Sequence, residues 1–192
     1  MAAKNKIKFG LKNVHYAVMT TSELGVVSWN TPVPIPGAVS MSLAAQGDTS
    51  KYYADNIAYY VSNSNDGYQG DLEIALIPDS FRTDVLSETM DSTDKVQVEY
   101  ANAEGKQFAL LYQFEGDVKA SLRVLYNCTC SRPSEEGSTQ DARKTPSSEK
   151  LTITASPMAD GKVRAKTTEE TTETVRQNWF KQVWVPTSTS EV

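Results

Sequence analysis

The chain has little of what most chemistry requires. Its 192 residues include one histidine and two cysteines. There is no G-x-S-x-G elbow, no phosphate-cradling glycine motif and no H-E-x-x-H pattern. No apolar run is long enough to cross a bilayer as a helix, and mean hydropathy is -0.44. Cations are scarce as well: 19 Lys and Arg stand against 24 Asp and Glu, a formal net charge of -5. A surface that grips nucleic acid needs a basic patch for counterion release, so that role is disfavoured. A surface that lets DNA pass without sticking is compatible with this balance.

The few reactive side chains read as structural. His15 lies on a strand between Val14 and Tyr16 and is expected to be a satisfied structural or surface histidine. Cys128 and Cys130 are two apart, which on a strand puts both sulfurs on the face of Leu122, Val124 and Tyr126 as core thiols. A disulfide across one residue would be strained, and two cysteines with a distant histidine cannot complete a zinc site. No metal or cofactor is expected. Asn127-Cys128-Thr129 fits a glycosylation sequon, but Met1–Gly10 is basic and polar with no apolar stretch behind it. It does not read as a secretory signal, so the protein is expected in the cytosol. Asp71 and Glu73 could be imagined as a glycosidase pair. A solvated strand face opposite Leu72, Ile74 and Leu76 explains them without further assumption.

What is present is mostly strand pattern: alternating runs of five to ten residues separated by turn-rich loops, as in an antiparallel β-sandwich or barrel. Val14/Tyr16/Val18, Val39/Met41/Leu43, Tyr52–Val61, Asp71–Ile77, Val96/Val98/Tyr100, Lys106–Phe114, Lys119–Cys130, Leu151/Ile153/Ala155 and Val163/Ala165 mark the strands. The run Asn65-Asp66-Gly67 reads as a hairpin turn between the third and fourth of these. On Lys119–Cys130, Lys119, Ser121 and Arg123 oppose Leu122, Val124 and Tyr126, predicting one wet and one dry face. One flanking helix is expected at about residues 79–90, capped by Asp79 or Ser80, with Phe81, Val85 and Leu86 on its buried side. The length suits one domain over residues 1–192. Within it, an N-terminal arm (1–12), a mobile loop (131–149), a second mobile run (Thr167–Gln177) and a C-terminal docking segment (178–192) are expected. Trp179, Phe180 and Trp184 give that last segment an apolar load that must dock on its own domain or on a neighbour.

Seven stretches together resemble a known family. They are Gly10–Met19 (GLKNVHYAVM), Thr31–Leu43 (TPVPIPGAVSMSL), Tyr53–Asn56 (YADN), Gly67–Leu86 (GYQGDLEIALIPDSFRTDVL), Phe108–Asp117 (FALLYQFEGD), Leu125–Pro133 (LYNCTCSRP) and Asn178–Pro186 (NWFKQVWVP). In this order and spacing they resemble the major tail protein, or tail tube protein, of long-tailed, non-contractile, siphophage-type bacteriophages, with a Gram-positive host expected. The resemblance covers nearly the whole chain. It implies a non-enzymatic virion protein assembled in the host cytoplasm: a β-sandwich with a flanking helix that forms hexameric rings. The rings stack into a hollow tube that serves as the conduit for genome ejection.

The partners so implied are other copies of the chain, a tape-measure protein, a tail terminator and distal tail or baseplate proteins. Double-stranded DNA passes through the lumen without specific binding, and no membrane is involved. Candidate inter-subunit or inter-ring contacts are Ile7, Phe9 and Leu11 in the arm, Tyr52, Tyr53 and Asp55 in the loop between Gln46 and Asn56, and Trp179, Phe180 and Trp184. Asp71, Glu73 and Glu99 are the lumen-facing acidic candidates. Removal of the residues after Gln177 is expected to leave a folded monomer that cannot polymerise. The alternatives are a carbohydrate-binding β-sandwich using Tyr52, Tyr53, Tyr59 and Tyr60, and another virion protein such as a head decoration or head–tail connector subunit.

Overall fold

The computed structural model describes residues 4–137, 139 and 146–187. The chain is mainly β, with antiparallel sheets and two short helices. In order, the elements begin β1 (Lys8–Thr21), β2 (Val27–Trp29), β3 (Val33–Pro34), β4 (Ala38–Gln46), β5 (Thr49–Ala54), β6 (Ile57–Asn63) and β7 (Gly67–Ile74). They continue with α1 (Asp79–Asp84), β8 (Thr89–Met90), β9 (Gln97–Val98), β10 (Phe108–Gly116), β11 (Ser121–Cys130), β12 (Glu149–Ala155), β13 (Arg164–Lys166) and α2 (Glu173–Asn178). One sheet runs β2-β1-β10-β11-β12-β7-β4, with β3 added to β1 and β13 to β11. The pairs β5–β6 and β8–β9 stand outside it.

The sheet curls until β4 approaches β1, and the enclosed side holds the larger core. Tyr16, Leu72, Ile74, Phe108, Leu110, Leu125, Leu151 and Ile153 pack there, and α1 adds Phe81 and Val85. Phe81 sits edge-on to Tyr16 at 5.0 Å and to Phe108 at 5.6 Å between ring centroids. The opposite faces of β1, β10 and β11 carry a second core of Ala17, Ala109, Leu111, Leu122, Val124 and Tyr126, roofed by Trp179. Burial on both faces explains the unbroken apolar run Phe108–Tyr112, every residue of which is buried.

On β11 the wet and dry alternation holds in the first half, where Ser121 and Arg123 are partly exposed beside buried Leu122 and Val124, and gives way to burial on both sides at Val124–Tyr126. Arg123 lies against the ring of Phe114, with its guanidinium carbon 4.9 Å from the centroid, and does not point into open solvent. The cysteines also change face. Leu110 pairs with Leu125, but Phe108 pairs with Cys128, so β11 carries one extra residue between the two pairs. This β-bulge resets the alternation. Cys128 and Cys130 therefore join Leu125 in the larger core, away from Leu122, Val124 and Tyr126. A bulge in β4, between the pairs Ala38–Ile74 and Ser40–Glu73, similarly turns Val39 outward while Met41 and Leu43 face the core.

The helix is shorter than expected. α1 ends at Asp84, its N-cap is Pro78, and no side chain caps it, so neither Asp79 nor Ser80 has that role. Lys106 N–H donates to the Val85 carbonyl at 2.7 Å and Ser87 adopts φ 61°, which together stop propagation. Phe81, Val85 and Leu86 are buried as expected. Leu76, placed by alternation with Leu72 and Ile74, lies beyond the end of β7 and is exposed; Ile77 is buried instead. Val96 and Tyr100 are exposed beside the two-residue β9. The run Thr167–Gln177 leads into α2 and is held by Arg176, which donates to Thr167 Oγ1 at 3.2 Å and to the Thr168 and Ala120 carbonyls. Part of the loop 131–149 and the end of the segment 178–192 lie outside the described residues.

Candidate functional site

The largest unexplained feature is a ribbon. β4 pairs with β7 down to Gln46–Gly67, and the same two segments continue as β5 and β6 from Thr49–Asn63 to Ala54–Ile57. Between them Asp66 N–H donates to the Gln46 carbonyl at 3.0 Å and Ser64 N–H to the Asp48 carbonyl at 2.9 Å. Asn65-Asp66-Gly67 is thus a jog inside one long hairpin and not its turn. The turn is Asp55-Asn56, both with positive φ (52° and 62°), as a two-residue primed hairpin loop demands. An Asp-Asn pair between Tyr-rich runs is a signal that could have located it.

Glycine permits the jog. Gly67 has φ 104°, and a Cβ there would fall 1.8 Å from the Ala155 carbonyl oxygen. Gly47 has φ 152°, and its Cβ would fall 2.2 Å from the Ser64 carbonyl oxygen.

Beyond the jog nearly every residue of β5 and β6 is exposed. Tyr52, Tyr53, Ile57, Tyr59, Tyr60 and Val61 are all large apolar or aromatic side chains in water. Tyr52 pairs with Tyr60 and Lys51 with Val61, so both faces carry them; Tyr59 occupies a bulge. A lone two-stranded ribbon is marginally stable in water, because neither face has anything to pack against. The expected contact residues Tyr52, Tyr53 and Asp55 all lie on this arm, and Asp55 is at its tip.

The outer face of β4, β7 and β12 is a second surface. Registers align Ser40–Glu73–Lys150, Ser42–Asp71–Thr152 and Ala44–Gln69–Thr154 as mostly polar rows. Asp71 accepts a hydrogen bond from Thr152 Oγ1 at 2.8 Å and lies 3.8 Å from Lys150 Nζ. Glu73 accepts from Ser148 Oγ, and from Ser40 Oγ at 2.8 Å; these hydroxyls hold its carboxyl below the usual range. The acids are therefore matched by hydroxyl donors and one lysine. Glu99 does not join them: it follows β9 and pairs with Arg132 at 2.7 Å. At the edge of this sheet, β4 has β7 as its only strand partner among the described residues.

The chain ends divide differently from expectation. Ile7 and Phe9 are exposed, but Leu11 packs against the larger core. The arm itself is pinned: Asn5 Oδ1 accepts from Val118 and Lys119 N–H at 2.9 and 3.0 Å, and Lys6 N–H donates to Asp117 at 2.9 Å. Trp179 is 2% exposed, stacks on Trp184 at 6.2 Å and donates from Nε1 to the Arg123 carbonyl at 3.4 Å. Phe180 covers the His15 ring at 4.7 Å, and His15 Nδ1 lies 3.0 Å from the Asn13 carbonyl oxygen. The C-terminal segment docks on its own chain; Trp179 is part of the second core, with Phe180 and Trp184 half-buried beside it. No protein-family model matches the chain, and no curated protein matches it.

Proposed function

We propose that this chain is the structural subunit of a phage-type tail tube, closing into hexameric rings that stack into a hollow conduit for genome ejection. The observation that carries the reading is the β5–β6 arm, a tyrosine-rich ribbon exposed on both faces that nothing among the described residues covers. A nine-residue edge strand, β4, adds support: β1 approaches it without pairing, and backbone groups left unpaired at an edge invite strand pairing between copies. A heterologous contact of that kind closes a ring, and stacking of rings stays open and gives a filament. The serine- and threonine-rich face of β4, β7 and β12, with Asp71 and Glu73, suits a wall past which DNA slides. The family resemblance of the sequence points the same way. On this reading the protein performs no chemistry; its partners are its own copies, a tape-measure protein, a terminator and distal tail proteins, and it resides in the virion tail.

Negative-stain electron microscopy of the purified chain at rising concentration, beside its sedimentation profile, tests this. Rings of hexamer mass or hollow tubes of uniform width are expected. A monomer at every concentration, also when nucleated with preformed tail tips, overturns the proposal and leaves the exposed tyrosines to a glycan screen.

A further inference from the structure

We propose that Lys8, Arg123 and Arg164 form a binding site for a single oxyanion, a phosphate or a carboxylate. The three side chains line one cavity of about 280 Å³ together with Tyr68, Tyr112 and Phe114, where the larger core opens to the surface. Among the described residues no carboxylate lines it. They come from three elements: Lys8 begins β1, Arg123 lies on β11, and Arg164 opens β13, directly opposite Leu125.

Aromatic faces hold the cations, and acids do not. Lys8 Nζ is 4.6 Å and Arg123 Cζ 4.9 Å from the centroid of the Phe114 ring; Arg164 Cζ is 5.0 Å from that of Tyr68. A ring face attracts a cation without using its N–H donors. Among the described residues none of the three forms an ion pair. Arg123 Nε is buried and has no hydrogen-bond partner among the described residues. A buried charged donor left unmatched is costly, and three like charges around one partly enclosed space repel. Tyr112 is 3% exposed, and burial raises the pKa of its hydroxyl, opposed by the nearby Arg123 and Arg164 charges. The phenol therefore stays neutral, and its oxygen accepts from the Arg123 guanidinium. One oxyanion in the shared cavity offsets the three like charges, and the planar guanidinium fork suits either phosphate or carboxylate.

That chemistry has two sources, a free ion and a carboxylate on a second copy of the chain. The site itself is independent of the tube assignment, because it is read with small ions on the dispersed full-length chain. The Arg123 Nε–H resonance is followed by nuclear magnetic resonance during titration with inorganic phosphate and with acetate, against chloride at matched ionic strength. A saturable shift specific to the oxyanion is expected. The double variant K8Q/R164Q changes two exposed side chains and should keep its amide spectrum while affinity falls about tenfold or more. No saturable shift with either ion, or equal affinity in the double variant, overturns the proposal. Sedimentation at saturating phosphate then separates the sources: loss of self-association identifies a carboxylate from a second copy, and unchanged self-association identifies the free ion.

Discussion

Tyr52 and Tyr60 stand directly opposite each other across the β5–β6 ribbon, 65% and 63% exposed. An in-register aromatic pair is a stabilising unit of a sheet when something covers it. Here nothing among the described residues does. By area, covering both would contribute on the order of 5 kcal/mol, enough to drive association.

Replacing the pair, Y52S/Y60S, should leave the fold intact, because these side chains touch neither core. The melting temperature should move by less than about 2 °C, as expected for surface changes. The concentration needed for assembly should rise about a hundredfold or more, given the area lost. Sedimentation velocity beside a thermal melt checks both; unchanged assembly would remove the arm from the interface.

Trp179 gives a prediction of the opposite kind. As the roof of the second core, W179A should cost about 3–5 kcal/mol in a urea titration. Truncation after Gln177 removes Trp179, Phe180 and Trp184 together, all packed on that core. The truncated chain should be unfolded or aggregated, and not a folded monomer. A cooperative transition at the wild-type midpoint would show the segment to be dispensable.

Gly70 and Gly10 form a matched test of close backbone approach. A Cβ on Gly70 would fall 1.9 Å from the Ser42 carbonyl oxygen in the paired strand, whereas nothing lies within 4 Å of one on Gly10. G70A should therefore lose more than about 3 kcal/mol or fail to fold, while G10A stays within about 0.5 kcal/mol. Equal stabilities by chemical denaturation would mean that β4 and β7 are spaced more widely.

Alkali should expose the buried acids of the core. Burial pushes the Cys130 thiol from 9.0 to about 12 and Cys128 higher still, and raises Tyr16 and Tyr126 from 10.0 to about 12. Their folded-state values lie above the unfolded ones, so the neutral native forms keep full stability below the unfolded values. Stability falls once the unfolded chain ionises first, and is lost as pH rises toward the folded values. The urea midpoint should be flat with respect to these groups below pH 9.0 and decline above it. In C128A/C130A the decline should begin near 10.0, where only the tyrosines remain. An onset that does not move would assign the effect elsewhere.

Charge reversal on the polar face probes its role. D71K/E73K places cations on outward-facing positions of β7 beside Lys150, so the fold should survive. On the tail-tube proposal, particles carrying it should eject their genome more slowly, because a basic wall attracts the phosphate backbone. Ejection at the normal rate would count against a lumen position for this face.

Local pattern was enough to locate much of this molecule. Period-two alternation marked β1, β4, β7, β11 and β12 within a few residues, and the unbroken run Phe108–Tyr112 already signals a strand buried on both sides. Phe81, Val85 and Leu86 declared the buried side of α1 from their spacing alone. Alternation is a property of neighbouring residues, so it is legible wherever the chain stays regular.

Tertiary structure decided what depends on partners. The bulges before Cys128 and at Val39 reset which side of a strand faces the core, and a bulge exists only relative to the strand beside it. The hairpin turn fell at Asp55-Asn56 and not at Asn65-Gly67 because the ribbon continues the β4–β7 pairing through a glycine jog. Trp179 could have covered a neighbour or its own chain, and the apolar outer face of β1, β10 and β11 claimed it. Lys8, Arg123 and Arg164 lie far apart in sequence and meet only because β1, β11 and β13 fold to one opening of the core. The sequence carries periodicity, which is local; the cores, the arm and the cation cluster arise from contacts between distant residues, which only the closed fold creates.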